Sequence, residues 1–518
     1  MPKEYLSPGV YVEEINTGPR PIEGVGTAMA AFVGFAPAGP VNDPQLITNW
    51  SQYVDKFGSA ENGGPKDPHM PGAYLSHSVY GYFLNGGGRC YVTRIGATKG
   101  KGKKHQPALQ LTAKGSKSPL LLVQAKDEAQ TNDVEIEVKP PTGDAPPEGT
   151  FTVRIKLGSV EEVYDNLTMS RGKGVRNAVE TINALSKLVV VVEAPATGTA
   201  VERALETGLF TLKAVPTANL PAVQANNFQG NVAERTGIQG LEIAEDVTMV
   251  CCPDLMSAYQ AGIIDRDGVK NVQQAMIDHC TKLGDRMAIL DSLPDLSPQE
   301  MLKWRQETNY DSKFAALYYP WIKVGGPEGK AIAVPPSGHI AGIYARNDKE
   351  RGVHKAPANE VIAGAVEAEV KITKGEQDDM NPRGINCIRV FNGRGIRVWG
   401  ARTLSSDAAW RYINVRRLFS FVEKSIERGT QWVVFEPNDP DLWARVKRDV
   451  GAFLTTVWRD GALFGLTASE AFFVKCDEEL NPPEVRDQGK LIIEIGMAPV
   501  KPAEFVIFRL SQFSGGGA

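Results

Sequence analysis

Trp410-Arg411-Tyr412-Ile413-Asn414-Val415-Arg416-Arg417-Leu418-Phe419-Ser420-Phe421-Val422 opens the stretch, 410–513, on which the fold is read. Asn414 is placed to cap a helix carrying Val415, Leu418, Phe419, Val422 and Ile426 at steps of three and four, and Gly429 stops it. The apolar run Trp432-Val433-Val434-Phe435 reads as a buried strand. Asp439 followed by Pro440 opens a second helix, because proline at the first helical position gives up an N–H that has no partner there. Its stripe is Leu442, Val446, Val450, Phe453 and Val457, closed by Gly461. Three strand-like runs follow, Ala471–Lys475, Leu491–Ile495 and Glu504–Leu510. The expectation is a compact α+β unit that ends in a hairpin.

At the other terminus, Ser7-Pro8-Gly9 leads into a short strand pattern, Val10, Tyr11, Val12, Glu13, Glu14 and Ile15, within an extended arm of residues 1–22. A lone strand there has no local partner, and an unpaired edge seeks one. The predicted partner is the C-terminal sheet of a neighbouring copy, through Leu491, Ile492, Ile493 and Glu494 and through Phe505, Val506, Ile507 and Phe508. Together, Pro8-Gly9-Val10-Tyr11-Val12-Glu13-Glu14 and Val415-Arg416-Arg417-Leu418 resemble the tail sheath proteins of contractile phages and phage-like injection systems.

The chain of 518 residues is long enough for two to four domains. At 42% apolar and 23% charged it has the composition of a globular protein. A net charge of −4 exerts no long-range pull on nucleic acid or anionic membrane. No apolar run is long enough to span a bilayer, and Met1-Pro2-Lys3-Glu4-Tyr5 lacks a signal core, so cytoplasmic synthesis and retention is expected. The six cysteines are scattered among apolar residues, as core thiols are.

From Thr27 a globular segment begins, with the apolar run Ala28–Phe35, a strand at Gln45–Thr48, a helix capped by Ser51, a second helix after Pro71-Gly72 and a strand at Arg89–Ile95. The Lys99-Gly100-Lys101-Gly102-Lys103-Lys104 linker introduces strand-like runs at Leu120–Val123, Val134–Val138, Phe151–Leu157 and Leu188–Glu193, with one helix over Val175–Leu185. Residues 98–225 therefore read as an inserted β-rich domain. Strands and helices alternate from about 241, and 226–384 reads as an α/β domain. The remainder, 23–97 with 385–518, is expected to form one discontinuous α+β domain. The fold class is thus α+β and α/β, multidomain. Phe83-Leu84-Asn85-Gly86-Gly87-Gly88, Val334-Pro335-Pro336-Ser337-Gly338-His339 and Lys355-Ala356-Pro357-Ala358-Asn359 extend the sheath resemblance over most of the chain outside 98–225.

No chemical motif has complete spacing. Gly325-Gly326-Pro327-Glu328-Gly329-Lys330 is one residue short of a phosphate loop and is followed by Ala331 where a Ser or Thr belongs; a turn between strands is the plainer reading. Gly86-Gly87-Gly88 follows a helix instead of opening one. Ser337 and His339, with Asp348 downstream, lack a nucleophile elbow. Asp265-Arg266-Asp267-Gly268 departs from the calcium loop and reads as a helix cap. The cysteines and six histidines form no zinc pattern. No catalytic residue, cofactor or metal is assigned. The alternatives to a sheath are a hydrolase-like enzyme of the middle domain, or another assembling shell protein such as a capsid or tube subunit.

The resemblance implies a non-enzymatic, mechanical subunit: a homo-polymer of stacked hexameric rings around an inner tube protein, bounded by baseplate and terminator or cap proteins, with neither nucleic acid nor inserted membrane as partner. It also implies that the C-terminal domain is innermost. Arg445, Lys447, Arg448 and Arg459 on its second helix would then face the tube, and 98–225 would lie outside. On residues alone, those four charges read as a solvated helix face.

Overall fold

A computed structural model describes residues 22–60, 65–96, 109–114, 119–126, 133–143, 147–158, 160–170, 175–194, 204–212, 220–221, 223–326 and 329–507. The chain divides into two compact units. The larger comprises Ala28–Glu350 and Ala356–Ile413; the smaller, among the described residues, comprises 22–27, 351–355 and 414–507.

The larger unit is built on a nine-stranded sheet of β1 (Ala30–Gly34), β2 (Gln45–Ile47), β3 (Cys90–Arg94), β4 (Met249–Cys251), β5 (Met287–Asp291), β6 (Ala315–Tyr319), β7 (Glu360–Val361), β8 (Ile385–Phe391) and β9 (Gly395–Val398). Its order is β7-β9-β8-β6-β5-β4-β1-β3-β2. The six strands from β8 to β3 are parallel, and the outer strands are antiparallel. Alternate residues of β1 serve opposite cores. Ala31 and Val33 join one with Val269, Val272, Met301 and Trp304; Ala30 and Phe32 join the other with Leu75, Val79, Ile340 and Tyr344. Burial on both faces is why the strands are unbroken apolar runs.

Among the helices that cover the sheet, four show how local chemistry directs them. In α1 (Leu75–Leu84), Leu75, Val79 and Tyr82 are buried. For α2 (Arg266–Leu283), Asp265 accepts the Gly268 N–H at 2.8 Å, the cap expected of that carboxylate. A reciprocal Ser297–Glu300 capping box opens α3 (Pro298–Thr308). The last, α4, spans Ser337–Arg351.

Residues 109–212 form two antiparallel sheets of their own. One holds Leu109–Thr112, Pro119–Ala125 and Val189–Glu193; the other holds Val134–Lys139, Phe151–Leu157, Val160–Leu167 and Gly208–Leu212. They share one apolar core that includes Val123, Ile136, Val153 and Ile182. The helix here is Ala178–Leu185. It starts later than Val175 because the Asn177 side chain accepts the Glu180 N–H.

Two expected boundaries move. Residues 28–97 were expected with the C-terminal segment, yet β1–β3 belong to the central sheet. A run as apolar as Ala28–Phe35 is accommodated by a strand covered on both faces. Residues 385–413 stay in the same unit through β8 and β9, so the division falls after Ile413. The expected cap at Ser51 is supplied by Asn49, which accepts the Gln52 N–H at 2.9 Å.

The smaller unit contains α5 (Ile413–Gly429, entered from the larger unit), α6 (Pro440–Arg459) and the antiparallel pair β10 (Phe472–Lys475) and β11 (Glu494–Met497). Asp439 caps α6 by accepting the Leu442 N–H at 2.8 Å, and Gly461 past its end has φ +79°. Leu418 and Val422 meet Leu442, Val446, Val450 and Leu454 in its core.

Candidate functional site: an assembly surface

In parallel sheets, ligands bind outside the carboxyl ends of the strands where the order reverses. Here that place lies between β1 and β4. It is occupied by the buried Asp254, whose carboxylate accepts the Phe35 N–H at 2.6 Å and the Tyr74 N–H. A Cβ on Gly34 would overlap that carboxylate, so glycine at the end of β1 makes room for it. Burial pushes Asp254 up to about 7. At the end of β5, buried Asp291 accepts both the Ser337 N–H (2.9 Å) and the Ser337 hydroxyl (2.7 Å), and burial raises it to about 7 as well. These carboxylates staple the ends of strands to the starts of helices.

Ser337 is therefore tied to Asp291. His339 is buried, and its Nδ1 finds no hydrogen-bond partner among the described residues. Burial, with His77 adding a smaller effect, holds the imidazole down at about 4. The two side chains serve separate packing roles. The strands that flank the Gly325–Lys330 segment, Ile322–Gly325 and Ala331–Val334, pair with each other, and Pro327 and Glu328 between them lie outside the described residues. All six cysteines are buried free thiols.

The surface of the smaller unit is chemically different. Residues 22–27 run along α5 in the opposite sense: Ile22 packs beside Gly429, Gly24 beside Phe421, Val25 N–H donates to Ser425 Oγ (3.1 Å), and Thr27 O accepts from Arg417 (2.9 Å). Asn414 lies inside the first turn of α5, not at its cap. Its amide nitrogen donates to His354 O (2.7 Å) and Val500 O (3.3 Å), joining three distant segments.

Arg445, Lys447, Arg448 and Arg459 share the exposed face of α6. Arg445 contacts Glu436 at 3.3 Å and stacks 5.3 Å over Trp432; Arg448 contacts Asp449 at 3.1 Å. Lys447 and Arg459 have no ion-pair partner among the described residues.

The strand residues are only partly where they were expected. Glu494 opens β11, but Leu491, Ile492 and Ile493 precede it, because the Asn481 side chain takes up both backbone groups of Ile492 (2.7 and 3.0 Å). Phe505, Val506 and Ile507 are irregular and largely exposed, at 70–79%. Phe508 and the arm residues Val10, Tyr11, Val12, Glu13, Glu14 and Ile15 lie outside the described residues. Within the described chain β10 and β11 pair only with each other, which leaves open edges.

Trp432–Phe435 is not a strand. Gln431–Val433 is a 3₁₀ turn, Val434 is 60% exposed, and Phe435 is fully exposed at φ +69°. Left-handed backbone at a phenylalanine costs about 1 kcal/mol or more. Apolar periodicity cannot reveal such a residue, since it scores as core. Phe464 and Leu466, at 75% and 93% exposure, escape a sequence reading in the same way. Exposed large apolar side chains are thus denser along the smaller unit than along the larger one.

The smaller unit thus presents an open sheet and exposed aromatics, while in the larger unit the crevice at the strand ends is filled by Asp254. Models of the phage tail sheath protein match in two blocks, the central domain over residues 242–404 and the C-terminal domain over 405–513, together more than half of the sequence. The chain belongs to the phage tail sheath family. It is 24% identical to the tail sheath protein of Burkholderia phage BcepMu, over 98% of this chain and 97% of that one. It is also 24% identical to the tail sheath protein of Escherichia phage P2, over 56% of this chain and 71% of that one. Among solved structures, the helical sheath of the anti-feeding prophage in its contracted state aligns with a TM-score of 0.57 and 26% identity, over 98% of this chain and 99% of that one. The baseplate of the same particle contains a chain that aligns at 0.56 and 26%.

Proposed function

We infer that this chain is the sheath subunit of a contractile phage tail or extracellular contractile injection system, polymerising as stacked hexameric rings around an inner tube and shortening to drive that tube through a target envelope. The single observation that carries this is alignment of nearly the whole chain with a contracted helical sheath. The partners are other copies, the tube protein, the baseplate and a terminator or cap. Assembly takes place in the cytoplasm of the producing cell; among the described residues no helix is long and apolar enough to cross a membrane. Work is done by rigid bodies changing their packing, and the subunit carries no catalytic centre.

Continuity through contraction is supplied by strand exchange: Val10–Ile15 of one copy adds to the open β10–β11 sheet of its neighbour. Each ladder bond contributes only about 0.5–1.5 kcal/mol net, and repetition around identical rings makes the lattice cooperative. Residues 98–225 lie on the outer surface. Electron microscopy of the purified chain tests the reading: tubes of uniform width are expected, and discrete small oligomers at every concentration contradict it. Deleting residues 2–15 should leave a folded monomer that does not polymerise; long regular tubes from that deletion would remove strand exchange from the account.

A further inference from the structure

Phe435 combines two unfavourable features, a left-handed backbone at φ +69° and a ring wholly in solvent. Its loop is nevertheless firmly built. Glu436 meets Arg445 at 3.3 Å, and Arg445 lies 5.3 Å over Trp432. Asn438 accepts from Trp443 Nε1 and donates to Lys490 O, each at 2.8 Å. A braced loop that lifts an aromatic ring off the surface is a preorganised contact, since little freedom remains to be lost when the ring is buried.

A second rigid apolar feature lies beyond the other end of α6. Phe464 N–H donates to Ala498 O (2.8 Å), Leu466 N–H donates to Glu470 (2.8 Å), and Gly465 O accepts from Trp458 Nε1 (3.0 Å). Phe464 and Leu466 are nonetheless largely in solvent. The 20 residues of α6 hold the two features about 30 Å apart, so neither covers the other within one copy. Charge follows the same polarity. Asp441 lies in the first turn and Arg459 in the last, and neither has an ion-pair partner among the described residues.

We propose that Phe435 of one copy seats on the Phe464–Leu466 surface of the next, in a head-to-tail joint that also brings Arg459 to Asp441. Unlike surfaces at opposite ends of one body make a heterologous contact, which propagates as a ring or a helix. This rests on the sheath reading and adds which surfaces meet.

The test is disulfide trapping in the full chain carrying Phe435→Cys with Leu466→Cys, the native thiols being buried. Oxidising the polymer should give a ladder of covalent multimers, and either single substitution should give monomer only. Phe435→Asn, which tolerates left-handed backbone, should melt at the wild-type temperature or above and raise the critical concentration for polymerisation at least tenfold. Wild-type tubes without a ladder, or Phe435→Asn tubes at the wild-type critical concentration, would overturn the joint while leaving the sheath reading intact. Normal tubes that lose only their bound tube protein would overturn it too, by placing Phe435 against the tube. If the wild-type chain forms no tubes, both readings fall together.

Discussion

A Cβ placed on Gly81 would fall 2.3 Å from the imidazole Cε1 of His339, so α1 and α4 cross at a distance that only glycine permits. Two more glycines, on α4, continue the contact. A Cβ on Gly338 would lie 2.4 Å from the Ser78 backbone, and one on Gly342 would lie 2.5 Å from Tyr82 O.

Gly338→Ala should therefore destabilise the larger unit by about 1–3 kcal/mol, although alanine normally favours a helix by about 1 kcal/mol. Facing backbone cannot step aside, so the clash outweighs the propensity. A thermal melt checks this, and an unchanged or higher midpoint would mean that the crossing relaxes.

Acidification should weaken the protein at His339. Its folded pKa of about 4 lies below the ordinary 6.5, so the unfolded chain takes up a proton that the folded chain refuses. The associated stability is present above 6.5 and is lost as pH falls towards 4, on the order of 3 kcal/mol in all. Asp254 and Asp291, raised to about 7, act in the opposite sense: their contribution is present below the ordinary carboxylate value and lost as pH rises through 7. Because these groups oppose one another over the same pH range, a difference measurement is needed to isolate the histidine. His339→Gln should gain on the wild type as pH drops from 6.5 to 4 in denaturant titrations; a constant difference would contradict the assignment.

Ser337→Ala should cost about 1–2 kcal/mol, since Asp291 loses the hydroxyl donor and keeps the Ser337 N–H. Tube assembly by the variant, followed by microscopy, should match the wild type. Loss of a hydrolytic activity on substitution would instead reveal a catalytic site.

Much of this was legible because local chemistry and tertiary demand agree. Asp439-Pro440 and Asp265 announce helices that form where expected. Failures occur where a distant partner decides. Ile492 leaves the strand because Asn481 captures it, Asn414 is drawn inward by His354 and Val500, and β1 is claimed by β4, which follows it by more than two hundred residues. The proposed assembly surface was half visible: charges on α6 stand out in a helical repeat, whereas an exposed Phe435 is indistinguishable from a core residue until its backbone is seen.

Reversing Arg445, Lys447 and Arg448 to Glu tests the tube-facing assignment of α6. Co-assembly with the cognate tube protein should weaken most at low salt, where screening is least. An unchanged fraction of filled tubes at every ionic strength would return these residues to a solvated face.

Replacing 98–225 with a short Gly/Ser bridge should leave polymers that are narrower outside and unaltered inside, because among the described residues no strand of 109–212 pairs with the central sheet. Folded protein that fails to assemble would instead put this domain among the essential contacts.

The contact of Val25 with Ser425, 400 residues apart, has a consequence in time. At typical synthesis rates of 5–20 residues per second, residues 22–27 wait roughly 20–80 s on the ribosome before α5 exists to receive them. The α6 ends and the open sheet are completed later still. A nascent chain therefore cannot enter a lattice through these surfaces until residues 413–507 have been made and folded.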